Sequence, residues 1–96
     1  MIASFGDRAT EDMFHGRNTH RMRAFPADIL APAIRKLDMI NFAKNLSDLG
    51  SSPGNRLEQM RGNWRGYYSI RVNAQWRIVF RWTGDDAHDV TIVDYH

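Results

Sequence analysis

Tyr67-Tyr68-Ser69-Ile70-Arg71-Val72-Asn73-Ala74-Gln75-Trp76-Arg77-Ile78-Val79-Phe80-Arg81-Trp82 alternates large apolar residues with polar ones. Tyr68, Ile70 and Val72 stand against Tyr67, Ser69 and Arg71; beyond Asn73-Ala74-Gln75, Trp76, Ile78, Phe80 and Trp82 stand against Arg77, Val79 and Arg81. A period of two marks strands with one face in a core and the other toward solvent. Thr83-Gly84-Asp85-Asp86 then turns the chain into a last run, Val90 to Tyr95. Connections this short join antiparallel neighbours, so the runs form a meander. Arg71, Arg77 and Arg81 fall opposite the large apolar residues, and arginines on adjacent strands suit phosphate, unless a bulge in the connection shifts the register.

Upstream, the period becomes helical. Leu30, Ile34, Leu37 and Ile40 form one apolar stripe, with Arg35, Lys36 and Asp38 off it. The helix is expected to begin at Asp28 or Ala31. Pro32 suits a first turn and would kink a helix begun at Asp28. The pattern continues past Phe42 through Leu46 and Leu49, and stops at Gly50-Ser51-Ser52-Pro53-Gly54. Nearer the N-terminus, Ile2 to Phe5 reads as a short strand. Asp7 or Thr10 could cap a brief helix through Glu11 to Phe14, and the polar residues from His15 to Arg23 read as an exposed connection. Helices followed by a meander predict an α+β fold, with N-terminal helices packed on one face of a curved, mainly antiparallel sheet. The 96 residues are expected to form a single domain spanning 1–96.

The chain has no cysteine, which excludes disulfides, thiolate catalysis and cysteine zinc sites. His15, His20 and His88 lack ligand spacing, so neither a metal nor a cofactor is expected. No apolar run is long enough to span a bilayer, and the N-terminus lacks the plan of a secretory signal. A cytoplasmic location without a membrane partner is the expectation.

Net charge is only +2, but residues 51–82 carry six arginines against Glu58 alone, a local net of +5. Asp85, Asp86, Asp89 and Asp94 follow in residues 83–96. An acidic segment can neutralise such a block within the fold. The planar fork of arginine also matches phosphate oxygens, which points to nucleic acid.

The segments that carry a resemblance are Pro53-Gly54-Asn55-Arg56-Leu57-Glu58, Arg61-Gly62-Asn63, Gly66-Tyr67-Tyr68-Ser69-Ile70-Arg71, Gln75-Trp76-Arg77-Ile78 and Val93-Asp94-Tyr95-His96. From about residue 53 onward, in order and spacing, the chain resembles the HigB toxins, the branch called GraT included. That family is similar in fold to RelE. The resemblance implies a type II toxin: a ribosome-dependent endonuclease that cuts mRNA in the A site and so inhibits translation. It implies neutralisation by a HigA-type helix-turn-helix antitoxin, with operator DNA contacted only through that antitoxin. By position it implies active-site roles for Glu58, Arg61, Arg77, Asp94, Tyr95 and His96. Arg56, Arg65 and Arg71 of the same block are expected to bind RNA. Glu58 and Arg61 stand where a better-known HigB pattern has histidine and lysine, so the general base is left open between Glu58 and His96.

RNA cleavage needs no metal, because the 2′-hydroxyl can attack the adjacent phosphate. A catalyst must take that proton, stabilise charge on phosphate and protonate the leaving 5′-oxygen. His96 titrates nearest neutrality, and Asp94 would favour its imidazolium and an acid role. Glu58 is an available, weak base. Arg61 and Arg77 would stabilise the developing charge, and Tyr95 would stack on a base. The competing reading is a RelE-fold module that occupies ribosomal RNA or a protein partner without cutting.

Overall fold

Residues 1–95 are described in the computed structural model, and the strands occupy their second half. β1 (Glu58–Gln59), β2 (Tyr68–Arg71), β3 (Trp76–Thr83) and β4 (Asp86–Asp94) form a four-stranded antiparallel sheet in chain order. Asn73 shapes the β2–β3 connection, its side-chain oxygen accepting from the backbone N–H of Gln75 and Trp76 at 2.9 and 2.7 Å. The β3–β4 turn places Gly84 at φ +62°, a left-handed conformation that costs glycine little.

β1 extends the meander beyond the three runs read from sequence. Two exposed polar residues carry no alternation, so only pairing with β2 defines them as a strand. The expected strand at Ile2–Phe5 is replaced by isolated parallel bridges, Ile2 to Ala87 and Phe5 to Val90. The bulge also lies elsewhere than expected. It sits in β4 across from the step between Val79 and Arg81, with Asp89 at φ +53°. β3 therefore keeps its own alternation, and Arg77 and Arg81 share a face.

α1 (Arg8–Phe14) takes Asp7, the earlier of the two expected caps, whose carboxylate accepts from Thr10 N–H at 2.9 Å. α2 (Leu30–Phe42) follows a 3₁₀ turn over Ala27–Ile29, which places Pro32 in the first α-helical turn. Its buried side is rotated from the expected stripe: Ile34 is 37% exposed, whereas Ala33 and Lys36 are buried with Leu37 and Ile40. Ala33 adds little hydrophobic signal but allows close approach. Lys36 is drawn inward because its ammonium donates to the buried Asn55 side chain, and Asn55 in turn donates to the Leu49 carbonyl at 3.0 Å. Burial, aided by the charge of Arg35, lowers the Lys36 pKa.

The helical pattern breaks after Phe42. Leu46 and Leu49 belong to α3 (Leu46–Gly50), opened by a reciprocal capping box between Asn45 and Asp48. The supposed exposed connection contains a 3₁₀ turn, His20–Ala24, tied back to α1. Buried Asp12 accepts from Thr19 at 2.7 Å and from Arg21 at 3.1 Å, with Arg17 at 3.7 Å. The Thr19 hydrogen bond, with help from both arginines and against burial, holds the Asp12 carboxyl below its ordinary pKa.

Met13, Ile29, Leu37 and Ile40 meet Ile70, Trp76, Ile78, Phe80 and Ile92 in one core cluster, with Trp82 partly buried against it. The helices thus cover one sheet face. The opposite face carries the polar half of the alternation. Among the described residues, no helix is long and apolar enough to cross a membrane.

Candidate active site

Register assembles the uncovered face. Glu58 lies opposite Ser69, Ser69 opposite Val79, Arg71 opposite Arg77, and Arg77 opposite Val93. Cross-strand partners share a face, so the pairing gathers these side chains from all four strands.

Arg77 is the centre of the arrangement. One arm of its guanidinium lies 3.0 Å from Glu58 Oε1, and the other donates to Ser69 Oγ at 2.9 Å. Its Cζ sits 5.3 Å from the centre of the Tyr95 ring, whose backbone N–H is held by the Gln75 carbonyl at 2.7 Å. The expectation of an open arginine surface needs correction here, since the Arg77 side chain is only 13% exposed, against 48% for Glu58. Engaged on two arms and one face, it is a preorganised positive charge rather than a mobile one.

Arg61 precedes a 3₁₀ turn, Gly62–Trp64, and is exposed. Glu58, Gln59, Met60, Arg61 and Tyr95 line a cleft of about 490 Å³ beside the Arg77 cluster. A neighbouring cavity of about 320 Å³ adds Gly62, Arg65 and Gly66 to Arg61. The fold therefore brings together Glu58, Arg61, Arg77 and Tyr95, with Arg65 alongside.

Asp94 and Arg56 line neither cleft. Asp94 lies opposite Trp76, on the helix-facing parity of β4, and accepts from the Gln75 side chain at 3.1 Å. Arg56 is exposed at a left-handed backbone position, φ +46°, before β1. Arg71 is half-buried beside Arg77 in the register. His96 lies outside the described residues. Ser69 is the residue that sequence reasoning passed over. Its hydroxyl is fully buried against Arg77. The only signal was its place between Tyr67 and Arg71 in the polar alternation.

Among the described residues, no three or more His, Cys, Asp and Glu side chains converge as a metal site would require. The group that does converge joins a carboxylate, two arginines, a phenol ring and a cleft. That constellation suits a phosphodiester with a base beside it.

Over residues 3–96 the sequence matches a family model described as the RelE-like toxin of type II toxin-antitoxin system HigB. The chain belongs to the HigB-like toxin family. Toxin HigB-1 of Vibrio cholerae serotype O1 is 38% identical over 96 residues, which cover all of this chain and 98% of that protein. Endoribonuclease HigB of Proteus vulgaris is 29% identical over the full length of both. A chain of the YoeB–YefM complex from Staphylococcus aureus has a TM-score of 0.59 at 18% identity, covering 100% of this chain and 98% of that one. At that identity the likeness is one of fold, and the fold is that of RelE-like toxins. This HigB-like toxin is thus a RelE-like α+β toxin of a type II toxin–antitoxin system, and an antitoxin is its class of partner. The family match reaches back through the helices, well before residue 53, where the sequence alone shows resemblance.

Proposed function

We propose that this HigB-like toxin is an endoribonuclease that cuts mRNA on the ribosome and is restrained by a HigA-type helix-turn-helix antitoxin. The observation that carries the reading is the Glu58–Arg77–Tyr95 cluster beside a cleft that Arg61 helps to line. The name of the Proteus vulgaris relative, an endoribonuclease, supports the same reaction class.

In this reading the scissile phosphate sits in the cleft and the 2′-hydroxyl attacks it. Glu58 takes the 2′ proton, and His96 gives one to the 5′-oxygen as that bond breaks. A cyclic phosphate and a 5′-hydroxyl are left, so no water is consumed. Arg77, already fixed, and Arg61 meet the charge that grows on phosphate, where preorganised donors act most strongly. Tyr95 stacks on an adjacent base, and Asp94 supports the imidazolium of His96. Arg56, Arg65 and Arg71 hold flanking RNA through phosphate. Exposed Glu58 and Arg61 beside the cleft fit a substrate positioned by something else, and the ribosome supplies that alignment. Operator DNA is reached through the antitoxin.

Primer extension on translating ribosomes tests the proposal. Cuts within codons are expected with the purified toxin, and their loss with Glu58→Gln. A toxin that occupies ribosomes and leaves every message intact would instead support a binding module without cleavage.

A further inference from the structure

Arg81 repeats, four residues along β3, the arrangement around Arg77. Both arginines lie on the sheet face away from the helices. Arg77 Cζ is 5.3 Å from the Tyr95 ring centre, and Arg81 Cζ is 4.9 Å from that of Tyr67. Each also faces a carboxylate, Glu58 at 3.0 Å and Asp89 at 3.6 Å. The second set depends on the β4 bulge: Asp89, at φ +53° and with its N–H on Ser4 Oγ at 2.9 Å, leaves the regular ladder beside Arg81. Trp64 extends the cluster, its ring 5.1 Å from that of Tyr67 and nearly perpendicular to it.

The two sets differ in exposure. The Arg77 side chain is 13% exposed and that of Arg81 is 56% exposed. Packing against the Trp64 ring accounts for the half-buried Tyr67 ring. It does not account for a half-exposed arginine with its own carboxylate, since an exposed ion pair contributes little to stability. An accessible guanidinium held beside the Tyr67 ring, with the Trp64 ring next to that, is instead the chemistry that binds a nucleotide through its phosphate and base.

We infer that Trp64, Tyr67 and Arg81 form a second nucleotide subsite on the same RNA strand, with a base on the aromatic pair and a phosphate on Arg81. The inference rests on the proposed RNA-cleaving function. Four residues of strand separate the two arginines by about 13 Å. The subsite therefore takes a nucleotide other than the one at Arg77 and Tyr95. Arg61 and Arg65, lining the cavity beside β1, continue the positive surface. Stacking tolerates any base, so the subsite lengthens the bound footprint without dictating its sequence.

The test is a nuclear magnetic resonance titration of the antitoxin-free toxin with 2′-O-methyl oligoribonucleotides of two and five nucleotides, which have no 2′-hydroxyl to attack. The pentanucleotide is expected to shift the ring signals of Tyr95, Tyr67 and Trp64 together, and to bind more tightly than the dinucleotide. Arg81→Gln and Tyr67→Leu should each weaken pentanucleotide binding on the order of ten-fold, whereas Tyr67→Phe should retain it. Arg81 is exposed, so its variant reads binding even where Tyr67→Leu disturbs the sheet. Tyr95 responding while Tyr67 and Trp64 stay silent would overturn the subsite alone. Wild-type affinity in Arg81→Gln, or lost affinity in Tyr67→Phe, would overturn it equally. Silence of all three rings would overturn the subsite, and the ribosome assay would still decide the proposed function, in which the ribosome aligns the message. Both sets responding in a toxin that leaves ribosomal mRNA intact would uphold the subsite and reject only the cleavage reading.

Discussion

The guanidinium of Arg77 shows how a side chain becomes useful by losing its freedom. Glu58, Ser69 and Tyr95 hold it from different directions, so its orientation is set before any phosphate arrives. In the proposed reaction, Arg77→Ala removes a charge-assisted contact of about 1.5–3 kcal/mol, a ten- to hundred-fold fall in the saturated cleavage rate. Ser69→Ala leaves the charge and removes one restraint, about 0.5–1.5 kcal/mol, for a fall of no more than roughly ten-fold. Single-turnover rates on ribosome complexes check both, and equal losses in the two variants would contradict the ranking. Arg77 and Glu58 were legible in the sequence as members of recognised motifs. Ser69 was not, because a serine in a polar alternation looks the same whether its hydroxyl meets water or a buried arginine.

Elements here are tied together by a few polar contacts at their ends. Asp12 of α1 anchors the following 3₁₀ turn through Thr19 and Arg21. Its carboxyl is held below the ordinary value of 3.8, chiefly by the Thr19 hydrogen bond. A depressed carboxyl pKa stabilises the fold fully above that ordinary value, and the contribution disappears as pH falls through the folded-state value. Asp12→Asn is therefore expected to lower the urea midpoint at pH 7, with the gap to wild type closing as pH drops below about 4. Midpoints measured from neutral to acid pH decide it: a gap that does not change with pH would assign the effect to packing instead. The contact joins residues that the sequence reading placed in a helix and in a solvent-exposed loop, and nothing periodic links them.

Across the whole molecule, the arginine-rich block holds both enclosed and exposed cations. Arg77 is enclosed, whereas Arg56, Arg61 and Arg65 are exposed along the route into β1 and away from it. The proposed division of labour gives Arg65 to binding and Arg61 to the scissile phosphate. Each phosphate contact contributes slightly under one unit to the salt slope of binding. Arg65→Ala should therefore weaken ribosome binding and flatten that slope, with most of its effect on affinity. Arg61→Ala should act mainly on the saturated rate, because a contact that strengthens in the transition state lowers the barrier itself. Binding titrations at several salt concentrations, beside single-turnover cleavage, separate the two. Equal proportional losses in both variants would reduce the block to a diffuse field.

Periodic and contiguous features were settled along the chain. Alternation from Tyr67 to Trp82, the helical spacing from Leu30 to Ile40 and the breaker at Gly50–Gly54 established the α+β class, because each is a local pattern that backbone geometry imposes. The ordered motifs from Pro53 to His96 pointed to the toxin family. Tertiary structure alone turned α2 onto Ala33 and Lys36, because Asn55, the partner that makes the lysine's burial tolerable, lies nineteen residues away. It alone joined Glu58, Ser69, Arg77 and Tyr95, whose meeting depends on strand register and on a two-residue strand without alternation of its own. The β4 bulge that sets Asp89 against Arg81 belongs with them. Register and bulges are decided by what lies across the sheet, and a neighbour across the sheet is not a neighbour in sequence.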